Sequence, residues 1–121
     1  MLFKDLESIA PFEDENKDPW WNEQFFHRAM EHGFLFDGPI LNIAGTPGLC
    51  QCNIVDARAT NKKLRVWLGW ALSRGKWVMH VAGFDADTRT LHEVTCPFDK
   101  YFGVVLDDTE SEAFCIEYEG I

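Results

Sequence analysis

The stretch "LRVWLGWALS", Leu64 to Ser73, decides the fold, and it reads two ways. Leu64, Trp67, Leu68, Ala71 and Leu72 would form one stripe of a helix capped at Asn61 and stopped at Gly75. Against that, Leu64, Val66, Leu68, Trp70 and Leu72 alternate strictly with Arg65, Trp67, Gly69, Ala71 and Ser73. A period of two sustained over ten residues favours a strand. "SRGK" (73–76) then closes a hairpin onto "WVMHVAGF" (77–84).

Working outward, "DADTRT" (85–90) is a polar turn that joins this strand to "LHEVTCPF" (91–98). "FGVVLDD" (102–108) and "AFCIEYE" (113–119) read as a last strand pair around "DTESE". Upstream, Ile40 to Ile43 reads as a strand, and "GTPG" (Gly45 to Gly48) as a turn. "LCQCNIV" (49–55) alternates weakly, and as a strand it puts Cys50 and Cys52 on one face. "ARATNKK" (57–63) reads as a loop.

The N-terminal third is helical in pattern. Leu2 to Ile9 suggests a short helix ending before Pro11, and Phe12 to Lys17 a charged loop. "DPWWNEQFFHRAMEHG" (18–33) reads as a helix with Asp18 as cap, Pro19 at the first turn and Gly33 as stop. At about 100° per residue, Trp21, Phe25, Phe26, Ala29 and Met30 fill one arc. Trp20 falls outside it, beside Glu23, Gln24, His27 and Glu31. The expected fold is α+β: N-terminal helices packed on a mostly antiparallel sheet of four to six strands. One domain spans 1–121, with a helical part at 1–33 and a sheet part at 39–120.

A chain of 121 residues buries enough surface to fold without disulfide or metal. No signal peptide or transmembrane run stands out, so the expected location is cytoplasmic and Cys50, Cys52, Cys96 and Cys115 are expected to be reduced. The net charge of −9 disfavours nucleic acid and anionic membrane as partners and favours a basic protein. The charge is also segregated. Ala57 to Phe84 contains no acid but holds Arg58, Lys62, Lys63, Arg65, Arg74 and Lys76. Acids cluster at Glu13, Asp14, Glu15 and Asp18, and again at Asp107, Asp108, Glu110 and Glu112.

Motifs for chemistry are sparse. Four cysteines, with His80 and His92 as substitutes, could hold zinc, but only one short Cys pair exists and the usual C-x₂₋₄-C spacing is missing. Asp85 and Asp87 lack the rest of a calcium loop, and "GTPG" lacks the Lys of a phosphate loop. No serine sits in a Gly-x-Ser-x-Gly elbow. Cys96 with His92 is a nucleophile pair by composition only, because proximity in sequence does not establish contact. Trp67, Trp70 and Trp77 near the basic segment could stack bases, although strand tryptophans in a small domain usually pack a core.

Trp20 has two readings: it folds back on its own chain, or it is an exposed anchor among carboxylates. In size and charge the chain resembles bacterial immunity proteins and other small protein inhibitors. With no catalytic signature, no enzyme activity and no cofactor are expected; the resemblance implies a basic partner such as a nuclease toxin whose cleft the inhibitor blocks. The candidate contact residues are Glu13, Asp14, Glu15, Asp18, Trp20 and Glu23 at one end, and Asp107, Asp108, Glu110 and Glu112 at the other. The alternatives are an enzyme-like or metal-binding domain, with a pocket between helix and sheet lined by His27, His80, His92 and the cysteines, or a phage-encoded inhibitor of a nucleic-acid-guided defence complex.

Overall fold

The computed structural model describes residues 20–43, 45, 46 and 49–118. The deciding stretch is a strand, β3 (Arg65–Ser73), antiparallel to β4 (Lys76–Asp85), with Ser73 opposite Lys76. Arg74 (φ 52°) and Gly75 (φ 77°) both take left-handed conformations, as a two-residue hairpin loop of the I′ class requires. The turn at 85–90 also forms: the Asp85 carboxylate accepts from the Asp87 and Thr88 amides, and β5 (Thr90–Glu93) returns antiparallel to β4.

With β1 (Phe34–Leu35), β2 (Ile40–Asn42) and β6 (Lys100–Val105), the sheet has the order β1-β6-β3-β4-β5-β2. Only β2 with β5 is parallel. β3 is central, and both of its faces are buried. Val66, Leu68 and Trp70 face one core; Trp67 and Ala71 face the other. This two-sided burial accounts for apolar residues in both registers of the quoted stretch.

Three helices cover the first face: α1 (Glu23–His32), α2 (Cys50–Thr60) and α3 (Asp108–Tyr118). Phe25 and Ala29 of α1, Ile54 of α2, and Phe114 and Cys115 of α3 pack with Val66, Leu68, Trp70, Val81, Phe102 and Val104. Phe25 stacks on Trp70 with ring centroids 5.7 Å apart. Among the described residues, no helix is long and apolar enough to cross a membrane.

The second face holds Trp67, Ala71, Ala82, Phe84, Leu91 and Tyr101, with Phe36 and Phe98 against them. Here the sheet must curl. Leu35 and Ile40 lie on opposite edge strands but are five residues apart, a reach of at most about 18 Å. Six flat strands would put those edges about 24 Å apart. The connecting Phe36 packs its ring on Phe84, 6.1 Å between centroids. β3 and β6 approach closely at the facing pair Gly69 and Gly103. A Cβ on Gly103 would lie 2.4 Å from the Leu68 carbonyl oxygen and 2.8 Å from the Gly69 Cα.

Three expectations are corrected. Residues 49–55 are not a strand, and 57–60 are not a loop: both belong to α2, where Cys50, Ile54 and Ala57 recur at helical spacing and the Asn61 amide closes the end on the Ala57 carbonyl. Cys50 and Cys52 are therefore about 200° apart, not on one face. Residues 113–118 are helical, not the last strand. Asp107 accepts from the Glu110 amide at 2.7 Å and Glu110 accepts from the Asp107 amide at 3.1 Å, a reciprocal cap that starts α3. The segment assigned to sheet, 39–120, thus contains two of the three described helices. Finally, α1 starts at Glu23 and not near Asp18. Asn22 is its cap, accepting from the Phe25 amide at 2.9 Å. Trp20 precedes the helix and has no place on its wheel. Residues 1–19, with the short helix expected at Leu2–Ile9, the loop at Phe12–Lys17 and Asp18, lie outside the described residues.

Candidate functional site

On the curled face, strand alternation aims His80 of β4, Glu93 at the end of β5 and Tyr101 of β6 at one another. His80 is 3% exposed and Glu93 is fully buried. The His80 Nε2 lies 2.7 Å from Glu93 Oε1, and the Tyr101 hydroxyl donates to that same oxygen at 2.9 Å. The other carboxylate oxygen accepts from the Thr95 amide at 3.0 Å. The Phe98 amide donates to the Tyr101 oxygen at 3.2 Å, and the Phe98 ring lies 4.5 Å from the imidazole. A buried carboxylate surrounded by three donors is the form in which an acid is tolerated inside a core.

Cys50 approaches the same imidazole from α2. Beyond Gly83 no strand pairs with β4 on the β5 side, and α2 packs along β4. The start of α2 is fastened to the residue that serves Glu93. Asn53 donates to the Thr95 hydroxyl at 2.8 Å and to the Thr46 carbonyl at 2.9 Å, and the Gly45 amide donates to the Thr95 carbonyl at 3.1 Å. Thr95 thus ties the helix bearing the thiol to the carboxylate that holds the histidine.

The electrostatics follow from this enclosure. Burial alone would push the His80 pKa down, but hydrogen bonds and charge from Cys50 and Glu93 outweigh it and raise the pKa to about 9. Burial, then the charge and hydrogen bond of Glu93, raise the Tyr101 pKa, so the phenol stays protonated and donates. The His80 ring thus lies between the Cys50 side chain and Glu93, both of which favour its protonated form. Cys50 opens α2, its Leu49 cap position makes no side-chain hydrogen bond, and the first-turn amides of a helix lack intrahelical acceptors. Such amides can receive a developing oxyanion.

The residues predicted to contact a partner are placed differently. Glu13, Asp14, Glu15 and Asp18 lie outside the described residues. Trp20 is partly buried and packs on Phe114, 5.5 Å between centroids, so it folds back on its own chain. Glu23 is exposed and lies 3.5 Å from His27 Nε2. Of the second cluster, Asp107 caps α3, and the others meet the chain's own arginines. Glu110 binds Arg28 through both oxygens, Asp108 meets Arg65 at 3.3 Å, and Glu112 meets Arg58 at 3.0 Å. Arg58 is itself buried and donates to the Leu64 carbonyl at 2.6 Å. Two bases of the acid-free segment therefore balance charge within the fold.

Among the described residues no cluster of His, Cys, Asp and Glu is arranged to hold a metal, and Cys50, Cys52, Cys96 and Cys115 form no disulfide. Trp67 and Trp70 are fully buried and offer no surface for a base. His92 points away from Glu93 on β5, so the carboxylate serves His80 and not the sequence pair of Cys96 and His92. A signal for the site existed in "TLHEVTC": an acid inside an apolar strand needs a buried partner. The sequence did not say that the partner was His80 or that Cys50 would join it. No protein family, curated protein or solved structure matches the chain, so a functional reading rests on this geometry.

Proposed function

We propose that the chain is a thiol-dependent acyl-transfer enzyme, with Cys50 as nucleophile, His80 as base and acid, and Glu93 as the group that orients His80. The observation that carries this reading is the buried imidazole held between the Cys50 thiol and the Glu93 carboxylate. Nucleophile, base and orienting acid recur in this relation on unrelated folds. With the proton already held on His80, Cys50 Sγ attacks the carbonyl carbon of an ester or amide. A C–S bond forms, the bond to the leaving oxygen or nitrogen breaks, and His80 returns the proton to that leaving atom. Water then attacks the thioester, giving one proton to His80 and its oxygen to the released acid while Sγ leaves, which restores the starting pair. Tyr101 and Thr95 hold Glu93 in place and take no part in the bond changes.

The test is acylation by p-nitrophenyl acetate. The expected result is a burst of one nitrophenolate per chain and a single acetyl adduct on Cys50. Cys50→Ala removes both, and Cys52→Ala keeps them. An unchanged burst in Cys50→Ala would sink the reading.

A second reading, neutralisation of a basic partner such as a nuclease toxin, has the net charge of −9 in its favour. A phage-encoded inhibitor of a defence complex would use the same physics. Pairing of Asp108, Glu110 and Glu112 with arginines shifts the expected contact toward Glu23 and the N-terminal acids. Charge reversal there should slow association with a captured partner, and unchanged on-rates would remove the steering argument.

A further inference from the structure

We propose that the curled face carries a second site, a cleft that binds a zwitterionic aromatic amino acid. The cleft has a volume of about 380 Å³ and is lined by Phe34, Phe36 and Phe84, with Asp37 and Arg89 as its charged residues. Small-molecule sites span roughly 300–1,000 Å³ and combine apolar or aromatic walls with a few polar groups. None of Cys50, His80 and Glu93 lines it, so it stands apart from the thiol chemistry above. The walls follow from the strand register. Phe34 lies opposite Gly103, and the Phe36 amide donates to the Tyr101 carbonyl at 2.9 Å, so alternation puts both rings on the face of Tyr101. Phe84 comes to the same side from β4 and meets Phe36 edge to face, 6.1 Å between centroids. The chain after Phe36 is fastened to β5, where the Leu91 amide donates to the Pro39 carbonyl at 3.0 Å. A Cβ on Gly38 would lie 3.0 Å from Phe36 Cζ and 3.6 Å from the Arg89 carbonyl oxygen. The segment bearing Asp37 and the turn bearing Arg89 therefore touch.

The charges select the ligand. Asp108, Glu110 and Glu112 all meet arginines of the chain, whereas Asp37 and Arg89 share one cleft without pairing. Both are exposed, and among the described residues neither side chain has a hydrogen-bond or ion-pair partner. A purely apolar ligand would strip water from both charges and replace it with nothing, and a ligand with one charge would do so to one of them. A ligand bearing a carboxylate and an ammonium answers both, the carboxylate accepting from the Arg89 guanidinium and the ammonium donating to Asp37. Its ring then lies against Phe34, which is 39% exposed, and Phe36.

The experiment is an NMR titration of the full chain with phenylalanine. The expected result is saturable binding with a Kd of about 1 mM or tighter, shifting amide signals at 34–39 and 84–91. Phenethylamine, which lacks the carboxylate, and 3-phenylpropanoate, which lacks the ammonium, should each bind at least about fivefold more weakly. Alanine, which lacks the ring, should bind more weakly still. Arg89→Gly should fold, because a φ of 55° suits glycine, and should lose the preference for phenylalanine over phenethylamine. Arg74→Gly makes the same change at a φ of 52° in the other hairpin, outside the cleft, and should keep the wild-type affinity. Weaker or unsaturable binding of phenylalanine, shifts centred elsewhere, equal affinity for 3-phenylpropanoate, or the same loss in both glycine variants overturns the proposal. None of these outcomes bears on acylation of Cys50.

Discussion

Replacing Glu93 by Gln changes one atom in the most enclosed part of the molecule, and its effect can be worked out in advance. Glu93 accepts from His80, Tyr101 and the Thr95 amide. Gln keeps the shape, removes the charge and turns one acceptor into a donor that must face one of those donors. In the wild type, folded His80 holds its proton up to about pH 9, whereas an unfolded histidine releases it near 6.5. The stabilisation this represents is therefore complete below about pH 6.5 and is lost as pH rises through about 9. A shift of that size corresponds to roughly 3 kcal/mol, a large share of the stability of a domain of this length. In Glu93→Gln the hydrogen bond and charge of the carboxylate are gone, burial still acts against the imidazolium and only Cys50 is left to favour it, so His80 should titrate well below its wild-type value. Urea unfolding followed by tryptophan fluorescence at pH 6 and pH 10 should show the wild type losing more than the variant between the two conditions, by up to roughly 3 kcal/mol. NMR titration of the His80 ring proton reads the same shift directly. Parallel stability curves, with the ring proton moving at one pH in both proteins, would refute the reasoning.

Two further expectations concern the frame around the site. Gly103→Ala puts a methyl against the Leu68 carbonyl and the Gly69 Cα, backbone atoms that cannot swing aside, and should cost about 1–3 kcal/mol in urea unfolding; an unchanged midpoint would show that the sheet has room for a side chain at this glycine pair. Ser111→Ala leaves the buried Val66 amide without the hydroxyl that accepts from it at 2.9 Å, and should cost about 1–3 kcal/mol and speed hydrogen exchange at Val66.

What the sequence disclosed tracks the range of the interactions involved. The hairpin of β3 and β4 was legible because alternation and the loop residues Arg74 and Gly75 act over a few neighbours. The cap that starts α3 was equally local, an Asp and a Glu three apart, but a strand was assigned there because β-prone residues at 114–118 outweighed it. α2 was missed because two cysteines flank one glutamine and imitate a period of two, while the helical stripe is carried by only a few apolar residues. The acidic cluster at 107–112 was visible as charge, but its arginine partners come from Arg28, Arg58 and Arg65, far away in sequence. For the same reason the site stayed hidden: Cys50, His80, Glu93 and Tyr101 come from four elements and meet only once the sheet has curled.

The strand order bears on how the chain reaches its native state. β1 and β2 are the earliest described strands to emerge in synthesis, yet they occupy the two outer edges of the sheet and pair with β6 and β5. Until the C-terminal strands leave the ribosome, Phe34, Leu35, Ile40 and Leu41 have no ladder to join. The nascent chain therefore carries two short, sticky, unpaired segments through most of its elongation, and productive folding waits on the last third. Truncation near residue 98 should leave a polypeptide that retains the central hairpin sequence but is recognised by chaperones as unfinished.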